Sequence, residues 1–266
     1  MTGNRLPDTQ RLPQIMVAPN GARRMKSDHA ALPLTIAETV EAAKACFEAG
    51  AGALHAHVRD AHGQHVLDAG LYRELLSEMH SAVPQMQVQI TTEAVGRYAP
   101  EEQRQLVQDV VPKSVSIALR EMVPGEAGGA AAHFYSWARE EGIAVQHIVY
   151  DAADLTRFFD LAGAGVLPGD YHQILCVLGR YAEAQESTPG DLDAFLEVLS
   201  ARRKNLDIDW AVCAFGHLET ECLLAAVSKG GKARIGFENG LWNRDGTLAK
   251  DNAERVIDLV AALKDL

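Results

Sequence analysis

Two histidines one residue apart stand in the run Gly52-Ala53-Leu54-His55-Ala56-His57-Val58-Arg59-Asp60, and far downstream Arg234-Ile235-Gly236-Phe237-Glu238-Asn239 offers a carboxylate. In an extended chain alternate side chains share a face, so the two imidazoles would point the same way with their Cα atoms roughly 7 Å apart. That spacing lets both rings converge on one ion. Two histidines and one carboxylate form a ligand set typical of catalytic zinc, which leaves a fourth position for water or substrate. The competing account makes His55 and His57 buried polar residues satisfied by hydrogen bonds. Two on one face favour the metal, provided that the fold brings Glu238 to them.

The elements that must do so are legible as an alternation. Short apolar runs bounded by turn residues predict strands near residues 14–18, 52–58, 86–91, 114–119, 145–150, 173–178, 209–214 and 233–237. Helical periodicity follows each, near 36–49, 70–82, 101–111, 130–141, 153–161, 192–201, 217–229 and 250–263. Thr35 and Glu38 make a capping box at the start of the first helix and Gly50 ends it. In the last helix Val256, Ile257, Val260 and Leu263 recur at helical spacing and are expected to face inward. Eight such alternations in about 250 residues predict an α/β fold, a closed parallel (β/α)8 TIM barrel. It is expected to form a single domain over 1–266, with 1–13 as a flexible N-terminal extension. In that barrel strand eight borders strand one and strand one borders strand two. Glu238 and the histidine pair then share a three-strand arc at the carboxyl ends, where barrel active sites are built. Asn20, from the end of strand one, would lie between them. The long connection 20–34, with Arg23, Arg24, Lys26 and His29, is placed to cover the site.

Other polar residues fall at the same end. Arg59 and Asp60 close the second strand, either as an ion pair knitting the barrel end or as support for metal-bound imidazoles. Arg234 and Glu238 share a face at even spacing, so Arg234 reads as an anion ligand or as the partner of an interior acid. Gln89-Ile90-Thr91-Thr92-Glu93 ends strand three with hydroxyls that could bind substrate and an acid at the rim, for which a solvated position is the plainer account. Arg120-Glu121 and Tyr150-Asp151 carry the same ambiguity. His62 and His65 fall in a turn and read as surface residues.

Composition narrows the classes. The chain has 266 residues, 47% hydrophobic and 23% charged, enough for a sizeable core. No apolar run approaches the roughly 20 residues of a membrane helix, and the polar start lacks a signal peptide's apolar stretch, so a cytoplasmic location is expected. The net charge of -11 argues against nonspecific nucleic-acid or anionic-membrane partners. An anionic small substrate would need a local basic pocket. Cys46, Cys176, Cys213 and Cys222 show no paired spacing and read as reduced residues in apolar positions.

In the His55-Ala-His57-Val-Arg59-Asp60 block, the Thr91-Thr92 turn, Val177-Leu178-Gly179 and Arg234-Ile-Gly-Phe-Glu238, the chain resembles the β-keto acid cleavage enzymes, the family that includes 3-keto-5-aminohexanoate cleavage enzymes. The resemblance runs nearly end to end. It implies a zinc-dependent barrel, a homo-oligomer (a tetramer), that exchanges a β-keto acid and the co-substrate acetyl-CoA for acetoacetate and a new acyl-CoA. It implies Zn2+ on His55, His57 and Glu238, and Arg234 meeting the negative charge that develops on oxygen. Two departures stand out. The family typically has an aspartate after the metal-binding glutamate, assigned as general base, where this chain has Asn239, which cannot accept a proton. It also tends to have glycines where this chain has Glu93-Ala94. We therefore expect Glu93 to serve as base, Asn239 to orient substrate or a metal-bound water, and Asn20, Thr91 and Thr92 to bind substrate. Two alternatives stay open: a metal-dependent hydrolase like the amidohydrolases, for which His217 would be a further ligand, and a non-catalytic metal or acyl-CoA binding protein.

Overall fold

The predicted alternation closes on itself. In the computed structural model residues 11–125, 129–203 and 205–266 are described, and within them eight parallel strands follow chain order around a closed barrel. They are β1 (Ile15–Val17), β2 (Ala53–Ala56), β3 (Gln87–Thr91), β4 (Ser114–Ala118), β5 (Ala144–Val149), β6 (Tyr171–Leu178), β7 (Asp207–Ala214) and β8 (Lys232–Ile235). The helices between and after them are α1 (Ile36–Glu48), α2 (Ala69–Ala82), α3 (Pro100–Val110), α4 (Leu119–Met122), α5 (Gly129–Glu140), α6 (Ala152–Gly163), α7 (Asp193–Arg202), α8 (Glu219–Ser228) and α9 (Asn252–Leu263). The short α4 has no counterpart in the sequence reading, because one turn is too brief to show a period. No helix among the described residues is long and apolar enough to cross a membrane.

Closure sets the register that matters. Met16 in β1 pairs with Ala53 of β2 on one side and Arg234 of β8 on the other, while His55 pairs with Gln89 of β3. Strand side chains alternate between two apolar regions. One face packs against the helices through Val17, Leu54, Ile90, Ile117, Ile174 and Ile235. The other fills the barrel lumen with Met16, Ala53, Leu175, Ala211 and Cys213. All four cysteines are free and buried.

The floor of the barrel is tied to the start of the described chain. Leu12 is buried, its N–H donates to Asp209 at 3.0 Å, and Arg11 pairs with Asp207 at 2.6 Å. Residues 11–13 of the expected extension are thus fixed; 1–10 lie outside the described residues. At the opposite end the long β1–α1 connection lies against the end of β8. Arg24 donates to the Phe237 carbonyl at 2.5 Å, and Leu32 packs with Phe237, Leu241 and Ala249. The α9 stripe needs one correction: Ile257 is 56% exposed, and the inward face runs through Arg255, Val256, Leu259 and Ala262. A buried arginine takes the turn that hydrophobicity alone assigned to isoleucine.

Candidate active site

His55 lies in β2 and His57 just beyond it, both turned into the lumen, and Glu238 follows β8 after a glycine turn. Their ligand atoms converge. His55 Nε2 and His57 Nε2 are 3.2 Å apart, and Glu238 Oε2 lies 3.5 and 3.6 Å from them. A tetrahedral ion with bonds of roughly 2.0–2.2 Å places its ligand atoms about 3.3–3.6 Å from one another, so the triangle fits a divalent metal such as zinc. Glu238 Oε2 has no hydrogen-bond donor among the described residues, as a ligand oxygen should not.

The proton positions point the same way. Gln89 Nε2 donates to Gln146 Oε1 at 3.1 Å, which turns Gln89 Oε1 toward His55 Nδ1 at 2.8 Å. His55 therefore carries its proton on Nδ1. His65 Nε2 donates to the Glu93 carbonyl at 2.9 Å, so its Nδ1 is left to accept from His57 Nδ1 at 3.3 Å. Both Nε2 lone pairs then face each other with no proton between them, an arrangement a cation relieves. Burial, and after it Arg234, lowers the His55 pKa to about 4, while burial and then His65 hold His57 well below the usual range. Neutral imidazole is the form that binds a metal.

His65 was read as a surface residue and is instead buried against His57. A bridge between Arg59 and His65 folds the turn back onto the strand end, with Gly63 at φ 76° at its tip. His62 stays exposed. Neither Arg59 nor Asp60 orients an imidazole. Arg59 donates to the carbonyls of Asn20 at 3.2 Å and Arg24 at 3.2 Å and to that of Gly21, binding the β1 loop to the end of β2. Asp60 instead caps its own turn through the N–H groups of His62 and Gln64, both at 2.9 Å. The ring-orienting groups are Gln89 and His65. Two-residue spacing back from Thr91 could have found Gln89; no pattern in the sequence marks His65.

Asn20 is fully buried and clamps the His57 backbone, donating to its carbonyl at 3.0 Å and accepting from its N–H at 3.4 Å. Beside it Gly21, at φ 57°, admits no side chain, since a Cβ there would lie 2.6 Å from Glu238 Cγ. Thr91 lines the mouth; its hydroxyl accepts from Glu93 N–H at 3.1 Å and Ser116 Oγ–H at 3.3 Å, leaving its own proton to donate. Thr92 points elsewhere, its hydroxyl donating to the Ser116 carbonyl at 3.3 Å, so of the two threonines expected to bind substrate only Thr91 lines the mouth. Asn239 is buried outside the mouth lining, with neither amide atom partnered among the described residues.

Further charged residues line the mouth, Arg23, Arg24, Arg180, Arg234 and Glu93 among them. Arg234 Nη2 donates to Glu238 Oε1 at 3.2 Å and to Cys213 Sγ at 3.4 Å, while its Nε and Nη1 have no partner among the described residues. A buried guanidinium with two unpaired nitrogens is a ready anion site. Glu93 sits at the rim, Oε2 3.8 Å from His57 Nδ1 and Oε1 3.8 Å from Arg180, a residue the sequence reading did not single out. Burial, reinforced by Glu238, raises the Glu93 carboxyl to about 7 against the pull of Arg180. Cys213 is raised to about 11 by burial, which leaves it no thiolate character.

Fold and mouth together define a (β/α)8 barrel enzyme with a His-His-Glu triad that could hold a metal ion at the carboxyl ends of its strands. The chain belongs to the beta-keto acid cleavage enzyme family, whose model matches residues 14–266. Among curated relatives it is 27% identical to the 3-oxoadipate:acetyl-CoA acetyltransferase of Cupriavidus necator, over 94% of this chain and 87% of that one. It is 24% identical to the 3-keto-5-aminohexanoate cleavage enzyme of Acetoanaerobium sticklandii, over 92% and 89%. Of solved structures, the ternary complex of ObcA with C4-CoA adduct and oxalate superposes with a TM-score of 0.70 at 17% identity. The match covers 88% of this chain but 64% of ObcA, a likeness of fold.

Proposed function

We propose that the protein is a zinc-dependent β-keto acid cleavage enzyme that condenses a β-keto acid with acetyl-CoA and releases acetoacetate and a new acyl-CoA. The observation that carries this reading is the His55, His57 and Glu238 triangle opening beside the unpaired nitrogens of Arg234, in a chain of this family. Zinc on those ligands would act as a Lewis acid on the keto and carboxylate oxygens of the substrate. Arg234 supplies positive charge where negative charge grows on oxygen as the α-carbon loses its proton. Glu93, beside His57 and steadied by Arg180, takes that proton. The carbanion carbon attacks the thioester carbonyl and expels CoA thiolate. The thiolate then adds to the original keto carbon, the bond between that carbon and the α-carbon breaks, and Glu93 returns its proton to the α-carbon of acetoacetate. No electron leaves or enters the balance.

The hydrolase reading loses its support at His217, which is exposed and stacked on Trp242 with ring centroids 3.9 Å apart, away from the triangle. The test is a panel of β-keto acids incubated with the zinc-loaded protein and acetyl-CoA, with new acyl-CoA and acetoacetate followed by mass spectrometry. Stoichiometric formation of both is expected. Zinc binding without turnover on any keto acid would reject the enzyme reading in favour of a binding protein.

A further inference from the structure

The mouth is divided into two halves of opposite character. Around β8, β1, β2 and β3 it presents Arg234, Glu238, Asn20, His55, His57 and Thr91. Around β4 to β7 its wall presents Ala118, Ile148, Val177 and Phe215, which are buried and continuous with the apolar lumen below, while Arg180 and Gln185 from the connection after β6 also line this side. Tyr150 packs against this second group. The cations that share the mouth face acids or backbone: the Arg180 guanidinium lies 5.4 Å over the Phe215 ring and 3.8 Å from Glu93, and Arg23 interacts electrostatically with Glu93 and Glu121. Arg24 donates to the carbonyls of Phe237 at 2.5 Å and Asn239 at 3.3 Å.

We infer that the β-keto acid carries an uncharged, apolar chain on its keto carbon, and that the Ala118, Ile148, Val177 and Phe215 wall receives it. The inference rests on the keto-acid reading above. A substrate held by its keto oxygen and carboxylate on the polar half has one remaining direction across the barrel, toward β4 to β7. A carboxylate or ammonium carried against those four side chains, none of which has a polar atom, would lose its hydration without a hydrogen bond from the wall in return. A methylene gains by leaving water, by about fourfold in affinity each when fully buried. This separates the chain from its relatives as named, since 3-oxoadipate ends in a carboxylate and 3-keto-5-aminohexanoate carries an amine.

The experiment compares kcat/KM for 3-oxopentanoate, 3-oxohexanoate, 3-oxoadipate and 5-amino-3-oxohexanoate at fixed acetyl-CoA. We expect about a fourfold gain from 3-oxopentanoate to 3-oxohexanoate. Both charged acids should fall roughly a hundredfold below 3-oxohexanoate. Ala118→Val, a small change that should fold, should penalise 3-oxohexanoate more than 3-oxopentanoate. If either charged acid matches the neutral ones, the inference is overturned. It is overturned equally if chain-length preference follows the acyl-CoA, with butyryl-CoA preferred to acetyl-CoA, because the wall would then hold the thioester. Should no keto acid turn over, the function reading fails, and calorimetry with the 2,2-dimethyl derivatives still decides. These lack an α-proton and cannot enter the condensation, and equal affinity for the 3-oxohexanoate and 3-oxoadipate forms would count against the apolar wall.

Discussion

At His55 and His57 the placement of both ring protons follows from one amide and one backbone carbonyl. Gln89 fixes the first ring and His65, held by the Glu93 carbonyl, fixes the second. His65→Phe keeps a ring in the pocket but removes the acceptor for His57, and zinc affinity should fall about 10- to 100-fold in a competitive chelator titration. Unaltered affinity would show that His65 only fills space. Glu93→Gln keeps the shape of the rim and removes the proton acceptor. Turnover should drop roughly a hundredfold to ten-thousandfold while zinc content stays near one per chain. If turnover is unchanged, the base is another group. Arg234→Lys should be nearly as damaging, because an ammonium cannot offer two fixed nitrogens beside the one it gives to Glu238. The convergence of His55, His57 and Glu238 was legible because a two-residue repeat on a strand is a strong geometric statement. His65 was not, since its burial depends on a turn that only tertiary packing folds inward. Asn20 and Arg59 were located correctly at the strand ends but their backbone partners were not legible, because a sequence does not say whether a polar group at a strand end meets a ligand or a neighbouring backbone.

Helix α1 shows how much of an element local chemistry dictates. Thr35 accepts from Glu38 N–H at 3.2 Å, and the Glu38 carboxylate accepts from Leu34 and Thr35 N–H at 2.9 and 3.1 Å, the capping box read from the residues. Burial raises the Glu38 pKa, but Lys26, 2.8 Å away, and those backbone donors outweigh it and hold the carboxyl at about 2. A depressed carboxylate stabilises the fold above its unfolded pKa, and the contribution disappears as pH falls toward 2. Glu38→Gln keeps the acceptor and removes the charge. It should lower the melting temperature by about 1–3 °C at neutral pH, the pair being partly exposed, with the gap to wild type closing between about pH 5 and pH 2. A gap that persists at the acid end would assign the effect to shape. Strand positions were legible within a few residues, whereas α4 and the turn of α9 were not. One is shorter than its own period, and the other is rotated by Arg255, a residue whose partner lies on a different helix.

That partner is Glu219, and the pair holds α8 to α9 at 2.7 Å with both side chains buried. Glu219 also accepts from Gly236 N–H at 3.4 Å, where a φ of 143° turns the chain from β8 toward Glu238. Arg255→Met leaves a carboxylate buried without its cation and should cost about 3–5 kcal/mol. That corresponds to a melting temperature roughly 10 °C lower by calorimetry. Adding Glu219→Gln should restore part of the loss; a single variant that melts with wild type would mean the pair is dispensable. The barrel as a whole was readable because eight alternations admit few closures, and closure alone brings Glu238 to the histidines. The same closure exposes a mechanical weakness. The ring is completed at β1, three residues long where β6 and β7 each run for eight, and β1 is all that separates β8 from β2. His55 and His57 reach over it from one side and Glu238 from the other. An ion gripped by the three would be a rivet through the joint where the two ends of the sheet meet, so metal would tighten the hoop as well as serve the chemistry proposed for it.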